Sequence, residues 1–413
     1  MAGDPLDPEK LFSVQDEIFA NRRLLETSHV PEPGRIVGRD MEITTLAGHL
    51  EDALLCSSPE NVIVYGKTGT GKSLVSRWVS QRIQESAPKD VTIRATRIDC
   101  SQDTTETQVA SSLARTFNDP VVTGSTVPLT GLSASNYWKL LWEALDEQYD
   151  VAIVILDEAD LLSTHNPLMR LSRARENADT NARIGVIAVS NKLQYPSRLD
   201  ERTVSSLRAK ELPFPPYDAD QLTEILERRR EAFRDGVLSE DVIPLCSAFA
   251  AQEHGDARKA IDILRHAGKL AHKEGIDRVV ERHVREARRL AERDRFTETT
   301  RTATMQAKAG LLALAALSLR HDRSVFTTSE IYDQYFAIAR EIDLDPLSVR
   351  RFRDILKEQA FLGLLESEKE NDGKGGGIHI DHRLMDDPEL VYDTLSEDER
   401  LGESTLTIDS ESV

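Results

Sequence analysis

The chain has 413 residues, a formal net charge of −19, and aromatic side chains at only 5%. That length implies two to three domains, each large enough for its own core. The acidity excludes a general electrostatic hold on nucleic acid, and no apolar run approaches the length of a membrane span.

From the amino end, residues 8–26 read as an amphipathic helix and 30–40 (VPEPGRIVGRD) as a Pro/Gly-punctuated loop. Residues 41–55 are helical again. Val62 to Tyr65 is a short β-branched run, the pattern of a buried parallel strand. Gly66, Lys67, Thr68, Gly69, Thr70, Gly71, Lys72 and Ser73 follow, and a helical pattern continues through Leu74. This is the strand–GxxxxGK[ST]–helix phosphate loop in its required context. Its glycines let backbone N–H groups surround phosphate oxygens, Lys72 reaches the β/γ-phosphates, and the Ser73 hydroxyl is placed for Mg²⁺. A strand over 91–98, helices over 105–118 and 135–148, and a loop over 119–134 come next. Val151 to Leu156 is a strongly apolar strand ending in Asp157 and Glu158; 167–176 is helical, 184–190 is a strand with Asn191 behind it, and 210–212 is a last short strand. Strands alternating with helices predict an α/β fold with a parallel, doubly wound sheet.

At PFPPYD (213–218) the prolines deny a helix and make an extended hinge. Residues 218–294 read as helices only. A third unit has three helices (304–320, 328–341, 346–359), a strand at 362–367, the glycine turn NDGKGGG, a strand at 378–382 and a closing helix at 387–395, the order of a winged helix. The expected organisation is an N-terminal helical segment (1–29), a P-loop base (30–212), a helical lid (213–298), a winged helix (299–395) and an acidic, disordered tail (396–413).

Asp157 at a strand tip beside the phosphate loop is suited to hold Mg²⁺, and Glu158 to polarise the attacking water. Asn191 is suited to orient that water or the γ-phosphate. Arg258, at the start of a lid helix, can report the γ-phosphate. Arg202 precedes the last strand and acts either in the same site or in a neighbouring subunit's.

These parts resemble the AAA+ class of P-loop ATPases. VPEPGRIVGRDMEI, YGKTGTGKS, ILDEAD, RTVSSLRAKELPFPPYDADQL and GDARKAIDILRHA are similar, more narrowly, to the archaeal origin-recognition and replication-licensing initiator family. The resemblance covers roughly residues 10–395. It implies an ATP/ADP-controlled protein that binds double-stranded origin DNA and helps place the minichromosome maintenance helicase, alongside other initiator paralogues. By the same resemblance, Tyr217 and Arg229 line the nucleotide, with the ring suited to adenine and the guanidinium to phosphates. Val37, Gly38 and Arg39 match the loop that approaches adenine. Residues 104–135 match an insertion that touches DNA, although Arg115 is its one basic residue.

In the third unit, Ser348 to Gln359 is the expected recognition helix. It carries Arg350, Arg351, Arg353 and Lys357 for major-groove contacts, with Phe352, Ile355 and Leu356 turned to the core. Lys374 in the wing can meet a phosphate, against repulsion from Glu366, Glu368, Glu370 and Asp372. The dense carboxylate surface, with arginine outnumbering lysine more than two to one, suits work in molar salt. Cys56, Cys100 and Cys246 lack metal spacing and read as reduced, buried thiols; with the polar start MAGDPLDPEK they point to a cytoplasmic, nucleoid-associated protein without a membrane partner. The leading function is an ATP-switched replication initiator with slow hydrolysis. The alternatives are a nucleotide-gated winged-helix transcription regulator and a mechanical AAA+ motor.

Overall fold

Five short strands alternate their apolar side chains between two opposite helical layers. In the computed structural model, which describes residues 17–26, 36–253, 255–321, 323–371 and 378–402, the chain divides into two compact units, Met1–Val284 and Arg285–Val413. In the first unit β1 (Val62–Tyr65), β2 (Ile93–Asp99), β3 (Val151–Asp157), β4 (Arg183–Ser190) and β5 (Lys210–Pro213) form an all-parallel sheet in the order β2-β3-β4-β1-β5.

One sheet face sends Val62, Val64, Ile153, Ile155, Ile187 and Val189 against α1 (Asp40–Leu50) and α2 (Lys72–Glu85), which bury Leu46, Leu50, Val75, Val79 and Ile83. The other face sends Ile63, Ile98, Val154, Leu156, Val186 and Ala188 against α3 (Glu106–Phe117) and α4 (Ala134–Gln148). Trp138 there is fully buried, stacks on Trp142 at 5.3 Å, and donates Nε1–H to Glu106 at 3.0 Å. Such an aromatic pair adds about 1 kcal/mol beyond its burial. A doubly wound α/β sheet is thus the fold, with α5 (Asn166–Arg173) and α6 (Glu201–Leu207) completing the second face.

The segment after β5 stays docked. Phe214 N–H donates to Tyr65 O at 2.7 Å and its ring is buried. The lid follows as α7 (Ala219–Glu227), α8 (Val242–Gln252) and α9 (Ala257–Lys273). Residues 8–16 of the helix expected over 8–26 lie outside the described residues, and its described part, 17–26, is not an α-helix. Arg22–Leu25 is one 3-10 turn, and Phe19 pairs with Phe233 in a β-bridge. The cause is packing against residues distant in the chain. The Phe19 and Phe233 rings meet at 5.0 Å over Gly268, where a Cβ would lie 2.5 Å from the Phe19 ring.

The division between units falls within α10 (Glu281–Thr300). The second unit then holds α11 (Met305–Arg320), β6 (Phe326–Thr327), α12 (Thr328–Glu341), α13 (Val349–Phe361), β7 (Leu365–Asn371), β8 (Ile378–Leu384) and α14 (Pro388–Ser396). β8 lies between β6 and β7, antiparallel to both; the two-residue β6 is too short to leave a strand pattern in the sequence. Phe326, Tyr335, Phe352, Leu356 and Leu384 pack in one core. The glycine turn with Lys374 lies outside the described residues, as does the expected tail (396–413) from 403 on; the described part of that tail is packed, with Leu401 buried in the core and Asp398 accepting from Lys308 at 3.0 Å. Among the described residues no helix is long and apolar enough to cross a membrane.

Candidate functional site: a phosphate loop under a helical lid, and a basic helix

β1 ends at the loop 66–71, and α2 begins at Lys72, so the helix's positive end faces the loop interior. Two glycines are required by close approach. Gly69 has φ +73°, and a Cβ there would lie 1.8 Å from Asp256 of the lid; Gly71 has φ +87°, and a Cβ would lie 2.7 Å from the Tyr217 hydroxyl. The lid turn therefore sits directly on the loop, joined by Ala257 N–H to Gly69 O at 3.2 Å. Lys72 is buried, and its Nζ donates to Gly66 O at 2.9 Å and Lys67 O at 2.6 Å. Burial, and then the charge of Arg258, lower its pKa to about 8 against the pull of Asp157 and Asp256. Arg258 is exposed on the first turn of α9, in electrostatic reach of Lys72. Thr70 is buried, Thr68 exposed, and Leu74 half-buried on α2.

Asp157 is 3% exposed at the tip of β3. Its Oδ1 accepts the Ser73 hydroxyl at 2.9 Å and the Glu158 N–H at 3.2 Å. A hydroxyl and a carboxylate this close are hard oxygen donors of the kind Mg²⁺ takes. Among the described residues no cluster of three His, Cys, Asp or Glu could hold a metal alone, so such an ion would complete its shell with phosphate oxygens and water. The residues present fit that role. Glu158 has a left-handed backbone (φ +56°), rare for a residue with a Cβ and a strain of about 1 kcal/mol. That turn brings its Oε1 to 3.4 Å from Asn191 Nδ2. Asp160, two residues on, anchors the asparagine's loop by accepting from Ser190 Oγ at 2.8 Å and Lys192 Nζ at 3.0 Å.

Arg39 behaves differently from an adenine-loop residue exposed to its ligand. It is 1% exposed. Its Nε donates to Thr70 O at 3.0 Å, Nη1 to Glu42 at 2.8 Å and Nη2 to Pro215 O at 2.5 Å. Its guanidinium also lies over the Tyr217 ring at 3.9 Å. One cation thus ties the phosphate loop, the hinge and α1 together. Val37 is buried beside it, and Gly38 (φ +63°) is pressed against Gln221 of α7. Arg229 lies within electrostatic reach of Tyr217.

Arg202 is exposed on α6, and among the described residues no contact brings it to the phosphate loop of its own chain. The insertion expected over 104–135 is half core: α3 buries Val109, Ala110, Leu113, Ala114 and Phe117, while Arg115 on its other face and Val121, Val122 and Leu129 beyond it are exposed. On α13, Phe352 and Leu356 are buried and Ile355 is half-buried, while Arg350, Arg351, Arg353 and Lys357 are exposed and Ser348 is the N-cap. Val349, Arg350, Arg353, Asp354 and Lys357 line one concave surface. Asp354 draws Lys357 to 3.5 Å, and Arg383 of β8 is paired with Glu366 of β7. Arg350, Arg351 and Arg353 therefore present exposed guanidinium groups on this face.

Residues 56–192 match the AAA domain family, 223–289 the Cdc6 AAA+ ATPase-type lid domain, and 298–394 the CDC6 C-terminal winged helix domain. The chain is 56% identical over 397 residues to ORC1-type DNA replication protein 4 of Halobacterium salinarum, spanning 96% of this chain and 97% of that protein. It is 42% identical over 394 residues to ORC1-type DNA replication protein 9 of Haloarcula marismortui, spanning 95% and 94%. Among solved structures it is similar to the Aeropyrum pernix ORC1 protein in complex with DNA, with a TM-score of 0.71, 35% identity, and 94% and 99% of the two chains covered.

Proposed function

The chain belongs to the ORC1-type DNA replication proteins, built as an AAA+ domain with a Cdc6-type lid and winged helix, and on that premise we propose that it is an ATP-dependent initiator that binds double-stranded origin DNA and helps recruit or load the minichromosome maintenance helicase. The observation that carries the reading is the row of exposed arginines on α13, on a chain whose phosphate loop is overlaid by its lid. Gly66 to Leu74 would hold the phosphates of ATP or ADP, with Tyr217 and Arg229 at the lid side. Ser73 and Asp157 would hold Mg²⁺, which supplies charge neutralisation at the β- and γ-oxygens. Glu158 takes the proton of the attacking water, Asn191 fixes that carboxylate, and Arg258 couples the γ-phosphate to the lid. Exposed Arg202 is presented to a neighbouring subunit's nucleotide, such as that of an initiator paralogue. Hydrolysis then works as a slow switch: losing the γ-phosphate removes what Lys72 and Arg258 share.

An acidic surface is compatible with DNA binding when base edges supply the contacts. About six phosphate contacts give a salt slope near −5, so a tenfold rise in salt removes roughly five decades of affinity. General basicity is therefore of little use in molar salt, while bidentate arginine contacts persist. Origin binding is expected to remain detectable above roughly 1 M salt, a concentration at which charge contacts alone are screened within about 3 Å. Arg353→Ala should weaken it roughly tenfold or more, as one lost base contact does. Binding confined to low salt would count against the reading. Genome-wide mapping of bound sites tests the assignment as a whole: origins with recruited helicase support it, and promoters alone would favour a transcription regulator.

A further inference from the structure

The Asp157 carboxylate at the tip of β3 is claimed from two sides. Its Oδ1 faces the phosphate loop through Ser73, and its Oδ2 accepts Arg97 Nε at 2.7 Å. The register explains the reach. β2 and β3 run parallel with Asp99 opposite Asp157 and Arg97 opposite Ile155, so residues 97 and 99 point to the face that Asp157 shares. Arg97 is fixed in turn by Asp99, whose Oδ2 accepts its Nη2 at 3.2 Å. Asp99 is itself braced by Ser101, whose N–H and hydroxyl donate to Oδ1 at 3.1 and 2.6 Å. Asp157 is 3% exposed; this guanidinium is the cation in direct contact with it, and Lys72 lies in electrostatic reach on the loop side. The Arg97 side chain is 35% exposed, an edge cation with solvent on its far side.

We propose that Arg97 is a built-in competitor for Asp157: its guanidinium neutralises the carboxylate that would face the divalent ion and sets the Mg²⁺ affinity of the nucleotide site low. A carboxylate already paired with a cation attracts a second cation less, because its negative charge is shared. Arg97 acts through Asp157, so it is a positioning residue. A protein bathed in concentrated salt gains from this arrangement, since the site then takes up Mg²⁺ only together with phosphate, which adds the missing negative charge. This inference rests on the divalent-ion reading of Ser73 and Asp157.

The test is equilibrium binding of a fluorescent ATP analogue to the full chain, titrated with Mg²⁺ at constant ionic strength. Arg97→Gln keeps a donor and removes the charge. It should lower the half-saturating Mg²⁺ concentration roughly threefold to tenfold, the range of a half-exposed charge contact. Arg97→Lys keeps the charge and should stay within about twofold of the parent, on the same scale. Arg97→Met, a charge-free residue of similar length at this half-exposed position, repeats the measurement should the glutamine variant fold poorly. A half-saturating concentration that is unchanged or raised in the uncharged variants overturns the inference. Analogue binding in the parent that ignores Mg²⁺ would instead remove the divalent-ion reading itself, and the inference with it.

Discussion

Lys72→Ala is expected to weaken ATP binding at least about a hundredfold, on the order of 3 kcal/mol, the size of a lost charge-assisted contact in a buried site. The side chain already lies inside the loop, held by Gly66 O and Lys67 O, so no long movement is needed to meet a phosphate. Its ammonium is also the cation buried deepest in the loop; Arg258 is exposed and Arg39 is committed to Thr70, Glu42 and Pro215. Neither can take its place without giving up a partner or its solvent. The measurement is calorimetric titration with ATP, beside the thermal midpoint with and without nucleotide. A variant that keeps its midpoint but loses the nucleotide-induced rise has lost binding and kept its fold. Undiminished binding would show that the loop's backbone N–H groups alone hold the phosphates.

The same residue predicts a pH dependence. In the free protein its pKa is lowered to about 8, first by burial and then by Arg258. Phosphate beside it favours the charged form, so the pKa rises on binding. The sign follows: affinity is complete below pH 8 and falls as the pH climbs through that value, by at most about tenfold per unit. Titrations at pH 8 in buffers of different ionisation heat should reveal proton uptake on binding. Lys72→Arg, whose charge does not titrate in this range, should show none from this position.

Why some of this was legible in the sequence and some was not follows from the range of the interactions. The strand–loop–helix at 62–85 is local, and the continuous apolar runs of β3 and β4 mark a parallel sheet buried on both faces. Asp157, Glu158 and Asn191 are at strand tips, and tips of neighbouring parallel strands meet by topology alone, so their proximity could be expected. Arg97 could not. It looks like an ordinary outward residue of an alternating strand, and only the β2–β3 register shows that it reaches Asp157. Arg39 is similar: its partner Pro215 is 176 residues away, and a buried arginine is rare enough that a solvated one is the ordinary expectation. The described part of the N-terminal segment has a helix-like pattern, yet Phe19 gains more from Phe233 and the gap left by Gly268 than one isolated helix could offer. In each case a long-range partner overrode a local preference.

Glu158→Gln is the second large effect, and it should separate binding from hydrolysis. The glutamine has the same shape and still presents an oxygen to Asn191 Nδ2, 3.4 Å away in the parent. It carries the same Cβ in the same left-handed turn, so the backbone strain at φ +56° is unchanged. What is lost is a carboxylate able to accept a proton from water, and general-base contributions are about 10² to 10⁴ in rate. ATP affinity should stay within about twofold, while single-turnover hydrolysis falls at least about a hundredfold. Asn191→Ala should fall less, because it frees the carboxylate without removing it. If hydrolysis works as a switch, the glutamine variant has a further consequence: with ATP and origin DNA present it should remain in the ATP-bound form, and its DNA complex should persist where the parent's turns over. Hydrolysis at the parental rate in Glu158→Gln would assign the proton to another group. Hydrolysis abolished with DNA residence unaltered would keep Glu158 as the base and remove the switch.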